Sequence, residues 1–403
     1  MSASTDATAS GLVQPIVAGL LAAVVGFGSS FAVIVAGLRA VGAAPSEVTS
    51  GLVVLSIVMG LAGVVLSLAF RMPISSAWTT PGAALLATGT HAGTFSDAVG
   101  AFLIVGAMIV AAALLRPFGR LVAAIPKPLA SAMLAGILLP LVLAPFKALG
   151  AMPLQALAIL AVWVVVGRFT KLYAVPAAVA ATVLVIAFDA GAPIGAVDDI
   201  WPTIVLVPPT FTAEAFVGIA LSLFIVTMAS QNIPGLAVLA ANGYRPPAGP
   251  LFAVTGLASI LAAPFGALTI NLAAITAAMC AGPDAGPDPS RRWVAAFVAG
   301  AAYLVLGTFA GVAVAIVLVS PPVLIQAVAG LALLGAFGNS ILTGLEDVED
   351  RTAVLVTFLL AASGTAFAGI GSAFWGLLAG LVILAVNGRL GAASRGEAAA
   401  RRR

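Results

Sequence analysis

Twelve apolar runs of 14 to 29 residues, from Gly11–Leu38 to Ser372–Val386, fill most of the chain and are parted by one or a few charges. A helix needs about 20 apolar residues to cross the roughly 30 Å hydrocarbon core of a bilayer. Runs of this kind, repeated, dictate helices solvated by lipid. Only 8% of the 403 residues are charged, against about 25% in soluble domains, which is too little to coat a water-facing surface. Long Leu/Ala/Val/Gly stretches without period-two alternation exclude an outer-membrane barrel. The expected class is an all-α integral membrane protein with many crossings.

Two further apolar pieces, Ala77–Thr88 and Thr269–Cys280, hold 12 residues each, about 18 Å of helix. Whether they count as segments is decided by charge, since each one flips the side of every later loop. With both counted and the N-terminus inside, 15 of the 17 basic residues are cytoplasmic and only Arg39 and Lys147 are outside; with both omitted the split is ten to seven. Positive-inside bias selects fourteen segments with both termini cytoplasmic. The first ten residues carry no Lys or Arg, so the N-terminus is expected to be retained and not cleaved as a signal.

The second half echoes the first. Ser29–Pro45 aligns with Ser230–Pro246, sharing Ser29/Ser230, Ala36/Ala237, Gly42/Gly243 and Pro45/Pro246, and the two short pieces fall at corresponding positions, segments 3 and 10. Seven segments per half is odd, so the halves run in opposite directions: a 7+7 inverted repeat, which is a transporter pattern. Arg71–Ser76 precedes the first short piece and Pro264–Leu268 the second, and both stretches are expected to be extended. Non-helical backbone at membrane depth is tolerated only inside protein or along a cavity. Two half-helices whose N-termini meet near the midplane are therefore expected, and such termini favour an anion.

Polar residues near the bilayer centre are costly and mark function. They cluster as Ser29 and Ser30, as Thr79 and Thr80, as Ser230, Gln231 and Asn232, and as Asn271 with Thr276 in the second half-helix. These amides and hydroxyls, with Trp78, suit a carboxylate, while Phe27, Phe31 and Phe265 wall an apolar or aromatic body. Against this stands the reading of such residues as interhelical glue. No H-E-x-x-H, G-x-S-x-G or acid-rich metal motif is present, and His91 is the single histidine, so an enzyme is poorly provisioned and no metal or cofactor is expected. The lone Cys280 has no intrachain partner for a disulfide. The basic residues are scattered between apolar runs and gathered only at the tail, a membrane topology pattern and not a nucleic-acid surface.

The stretches Pro73–Leu85, Ser230–Gly235, Asn271–Ala278, Pro287–Trp293 and Gly369–Gly376 resemble the bacterial benzoate-proton symporter family over essentially the whole chain. More distantly the chain is similar to uracil and xanthine permeases and sulfate-type anion transporters. The resemblance implies a core domain of segments 1–4 (11–117) and 8–11 (213–318), and a gate domain of segments 5–7 (118–190) and 12–14 (319–388). Between them lies an external linker at 191–212, with tails at 1–10 and 389–403. It implies import of benzoate or a related aromatic carboxylate with a proton across the bacterial inner membrane, the core moving past the gate as an elevator. Gln231 falls where nucleobase permeases carry a carboxylate. The proton then travels on the substrate itself, on His91 or through Glu214. A nucleobase or inorganic-anion carrier of the same fold and a passive anion channel are the alternatives, and a homodimer through the gate is left open.

Overall fold

The computed structural model describes residues 3–89, 93–115, 126–189, 203–346, 350–365, 367 and 372–388. Helices α1 (Ala3–Ala40) and α2 (Pro45–Phe70) lead to a strand, β1 (Ser76–Trp78), a short helix, α3 (Thr80–Thr88), and α4 (Phe95–Leu114). Then come α5 (Lys127–Val142), α6 (Ala144–Ala151), α7 (Pro153–Phe169) and α8 (Lys171–Asp189). The second half runs through α9 (Ala213–Ala241), α10 (Ala248–Ala262), a strand β2 (Ile270–Leu272), α11 (Ile275–Ala281), α12 (Trp293–Thr308), α13 (Ala310–Val319), α14 (Pro322–Leu345), α15 (Arg351–Ala362) and α16 (Ser372–Val386). Seven helices among the described residues are long and apolar enough to cross a membrane, and four shorter apolar helices accompany them. The chain is a multi-pass, mostly helical membrane protein.

Several boundaries differ from expectation. The first residues of both short pieces are strand, not helix: β1 and β2 pair antiparallel with Ser76 opposite Leu272, Ala77 opposite Asn271 and Trp78 opposite Ile270. The chain is thus all-α except for this two-stranded crossing, and Asn271 sits on a strand ahead of its half-helix. Three extended residues on each side cannot satisfy their own backbone in an apolar setting, so each pairs with the other. The segment expected at Trp293–Val317 breaks at Phe309 into α12 and α13, and Leu129–Pro145 breaks at Leu143 into α5 and α6. In α9 two turns widen to π geometry, at Phe216–Leu221 and Met228–Asn232. The second widening directly precedes Pro234, whose ring would meet the Ser230 carbonyl in a regular α-helix.

Two helix crossings mirror each other between the halves. Where α2 packs on α12, a Cβ on Gly60 would stand 2.5 Å from the Gly300 carbonyl oxygen, and one on Gly300 would stand 2.6 Å from that of Gly60. Where α10 packs on α4, Gly106 and Gly256 face each other in the same way at 3.1 and 2.9 Å. Side chains of glycine size let these backbones touch, which is how apolar helices gain packing energy in lipid. Extensive contacts join α1, α2, α3, α4, α10 and α12, and a second set joins α5 to α14 and α15, α15 to α16, and α7 to α8. The sets meet where α1 lies against α14 and α8, and where α3 and the second π turn of α9 lie against α5.

Candidate functional site

The strand crossing is the structural centre of the expected site. Its ladder is extended by Thr79 N–H donating to the Thr269 carbonyl at 3.1 Å and Ala273 N–H donating to that of Ser75 at 2.9 Å. The outer edge of β2 is closed by side chains, as a buried edge must be. Ile270 N–H donates to Ser259 Oγ of α10 at 2.9 Å, and Leu272 N–H donates to Asn232 Oδ1 of α9 at 2.9 Å. On the other strand, Ser76 Oγ donates to the Met59 carbonyl of α2 at 2.5 Å.

Five of the expected binding residues spend their polar atoms on this frame. Asn271 is fully buried; in the amide orientation that satisfies both its atoms, Oδ1 accepts from Thr79 N–H at 3.0 Å and Nδ2 donates to the Leu272 carbonyl at 2.8 Å. Thr79 caps α3, its Oγ1 accepting from Gly82 N–H at 3.2 Å and from the Thr227 hydroxyl at 3.0 Å. Trp78 Nε1 donates to Ser30 Oγ at 2.8 Å, and that hydroxyl donates to the Gly26 carbonyl at 2.7 Å. Asn232, also fully buried, places its Nδ2 3.1 Å from Met228 Sδ.

The remaining polar candidates are freer. Ser29 and Ser230 are half-buried, and their hydroxyls bond back to the Gly26 and Val226 carbonyls at 3.4 and 2.6 Å. Thr80, in the first turn of α3, and Gln231, in the π turn of α9, are half-buried, and neither side chain has a hydrogen-bond partner among the described residues. Thr276, in the first turn of α11, is 8% exposed. Its methyl and the Tyr303 hydroxyl both close on Gly26, where a Cβ would overlap that hydroxyl.

Of the three residues assigned to the apolar wall, two come together. Phe27 stacks on Phe31 with centroids 5.7 Å apart and meets Trp78 at 5.5 Å, and Trp78 meets Tyr303 edge-on at 5.9 Å. Phe265 lies apart, at the end of α10, where its carbonyl accepts from Ser50 Oγ at 3.0 Å. Glu214 is exposed in the first turn of α9, sixteen residues and roughly 24 Å of helix before Ser230. His91 lies outside the described residues. Among the described residues no group of three or more His, Cys, Asp or Glu side chains is placed to hold a metal ion.

Sequence reasoning missed Thr227, Ser259, Ser76, Tyr303 and Arg292. Arg292 is 8% exposed and carries its guanidinium to the carbonyls of Ala281 at 2.9 Å and Gly286 at 2.8 Å. It thereby caps the C-terminal end of α11, where a cation complements the helix dipole. The partners of all five lie elsewhere in the fold, and only the polarity of each residue within an apolar run marks it in the sequence.

With this geometry in hand, comparison with known proteins is informative. A family profile described as benzoate membrane transport protein matches residues 10–386. The inner membrane protein YdcO of Escherichia coli (strain K12) is 39% identical over 373 residues, 92% of this chain and 95% of that protein. A benzoate membrane transport protein of Acinetobacter baylyi is 32% identical over 371 residues, 91% of this chain and 93% of that one. Among solved structures, the transmembrane domain of a cyanobacterium bicarbonate transporter, BicA, aligns with a TM-score of 0.59 at 16% identity, over 92% of this chain and 97% of that domain. The murine Slc26a9 anion transporter in its inward-facing state aligns at 0.60 and 15% identity, over 93% of this chain and 68% of that one. These two likenesses establish the fold.

Proposed function

The chain belongs to the benzoate membrane transport protein family, and from that premise we propose that it imports benzoate or a related aromatic carboxylate together with a proton. The carrying observation is the strand crossing. It holds the nine-residue helix α3 with its N-terminus buried in the protein interior, beside the hydrogen-bonding groups of Thr80 and Gln231 that have no protein partner. Backbone N–H groups and the positive end of a helix dipole favour an anion there. The nearby aromatic set of Phe27, Phe31 and Trp78 suits a ring.

In this reading Ser30, Trp78, Thr79, Asn232 and Asn271 position the site, and Ser29, Thr80, Ser230, Gln231 and Thr276 face the substrate. Fourteen segments in a 7+7 inverted repeat are supported by the matched strand-helix units and by the mirrored Gly60/Gly300 and Gly106/Gly256 crossings. A core that slides against a gate is supported by the two sets of helix contacts, with α1 and α3 at their boundary.

Coupling to a proton follows from energetics. Bringing one anion in against an inside-negative potential costs about 2.3 kcal/mol per 100 mV, and a co-transported proton cancels that charge. Glu214 is exposed at the far end of α9, so the leading route for the proton is the substrate carboxyl itself. Both termini are cytoplasmic in this account, as the basic residues require.

The test is counterflow of labelled benzoate in proteoliposomes, challenged with unlabelled benzoate, uracil, sulfate and bicarbonate. Competition by benzoate alone is the expected result. Competition by uracil or by the inorganic anions, with benzoate inert, would assign the fold to another cargo. Flux without counterflow stimulation would make it a channel.

A further inference from the structure

A cavity of about 1030 Å³ opens between α5 and α9. Its inner end is formed by Met228 and Ala229 of the π turn and by Pro234, next to Gln231; its outer end carries Lys127, the first residue of α5, and Arg245, just beyond the end of α9. No carboxylate lines it. At the opposite end of the same helices, only about 20 Å³ separates Thr88 of α3 from Pro140 of α5 and Ser222 of α9, less than the share of one liquid water molecule. The path from the π turn is therefore open toward Lys127 and Arg245 and shut the other way. A larger volume than this is not needed for a one-ring carboxylate, since ligand pockets span about 300 to 1,000 Å³.

We propose that Lys127 and Arg245 form a vestibular subsite for the carboxylate anion, on the face that carries the chain's basic loops. The anion is held there between bulk water and the π turn. The inference rests on the carboxylate-transport reading and adds a second, one-sided station to it. The physical reason is focusing: two cations at the mouth of a cleft with apolar walls concentrate an anion far more than the same charges on a flat surface. The apolar wall of the cavity takes the ring, and the cations take the charge. Because the opening is one-sided, their effect belongs to one face of the membrane.

The test uses full-length protein in neutral-lipid proteoliposomes with orientation fixed by external labelling. Half-saturation for benzoate is measured from each face for the wild type, K127Q, R245Q, the double variant, K127R, and a control, K147Q. The expected outcome is a rise of about tenfold for the double variant at the basic-loop face only. K127R should keep wild-type values, and the difference should shrink in high salt as screening sets in. Equal shifts at both faces, no shift at either, or a shift seen only when anionic lipid is added would overturn the subsite. A wild type that moves no benzoate would fell the transport reading and the subsite with it. Transport that is intact in the wild type and unaltered in the double variant fells the subsite alone.

Discussion

The polar residues of the midplane divide into those that hold the backbone and those left free to meet a ligand, and the division predicts opposite mutant behaviour. Asn271→Ala removes two hydrogen bonds from a fully buried amide, a loss of about 2 kcal/mol in stability at about 1 kcal/mol each. It should lower the Tm in detergent, and Asn271→Asp should lower it further by burying a charge. Gln231→Ala has no protein bond to lose. It should leave the Tm in place and raise the KM for benzoate about tenfold or more, the worth of one hydrogen bond to a charged ligand. The packing of the Tyr303 hydroxyl against Gly26 gives a second prediction. Gly26→Ala should depress the Tm, and adding Tyr303→Phe should recover much of that loss, a coupling of roughly 0.5–3 kcal/mol measurable as a double-mutant cycle. The sequence shows which residues are polar at depth but not which are already partnered. Asn232 and Leu272 are 40 positions apart and Thr79 and Thr227 are 148 apart, distances that only the fold collapses.

At the scale of elements, the interruptions were the legible part: Pro73, Pro81, Pro264 and Gly266 mark backbone that cannot continue as helix, and both strands lie within a few residues of them. The strands themselves escape sequence reading, because three extended residues inside a twelve-residue apolar piece show neither a period of two nor one of 3.6. The same limit hides the break at Phe309, in an unbroken apolar run. Helix ends carry the next prediction. Arg292 is the cap of α11 and donates to two carbonyls at its C-terminal end. Arg292→Ala should therefore cost several kcal/mol, at about 1.5–3 kcal/mol per charged hydrogen bond. Thermal unfolding in detergent checks this, and Arg292→Lys should recover only part, since an ammonium lacks the planar fork that reaches both oxygens.

For the whole molecule, the account requires α3 to move relative to α5 and α15 during each cycle. Thr88 and Ala362 line the same small void on the shut side, so Thr88→Cys with Ala362→Cys should be joined by a short thiol crosslinker. The joined protein should stop transporting and resume on reduction; undiminished flux after complete crosslinking would contradict the movement. Lipid solvation, many crossings and the place of the inverted halves were legible from apolar runs and basic residues alone, whereas the open and shut ends of the cavity depend on how α5 and α9 pack. The central claim is proton-coupled carboxylate import, and equilibrium accumulation does not test it: a one-to-one symporter and passive permeation of the neutral acid reach the same distribution. The decisive quantity is the initial rate of labelled benzoate uptake at about pH 7, where a carboxyl of ordinary pKa is almost wholly ionised, into proteoliposomes with and without an inward proton gradient. The account predicts a rate well above that of empty liposomes, increased by the gradient and lost in Gln231→Ala at low benzoate; a rate equal to that of empty liposomes, or one indifferent to the gradient, would contradict it.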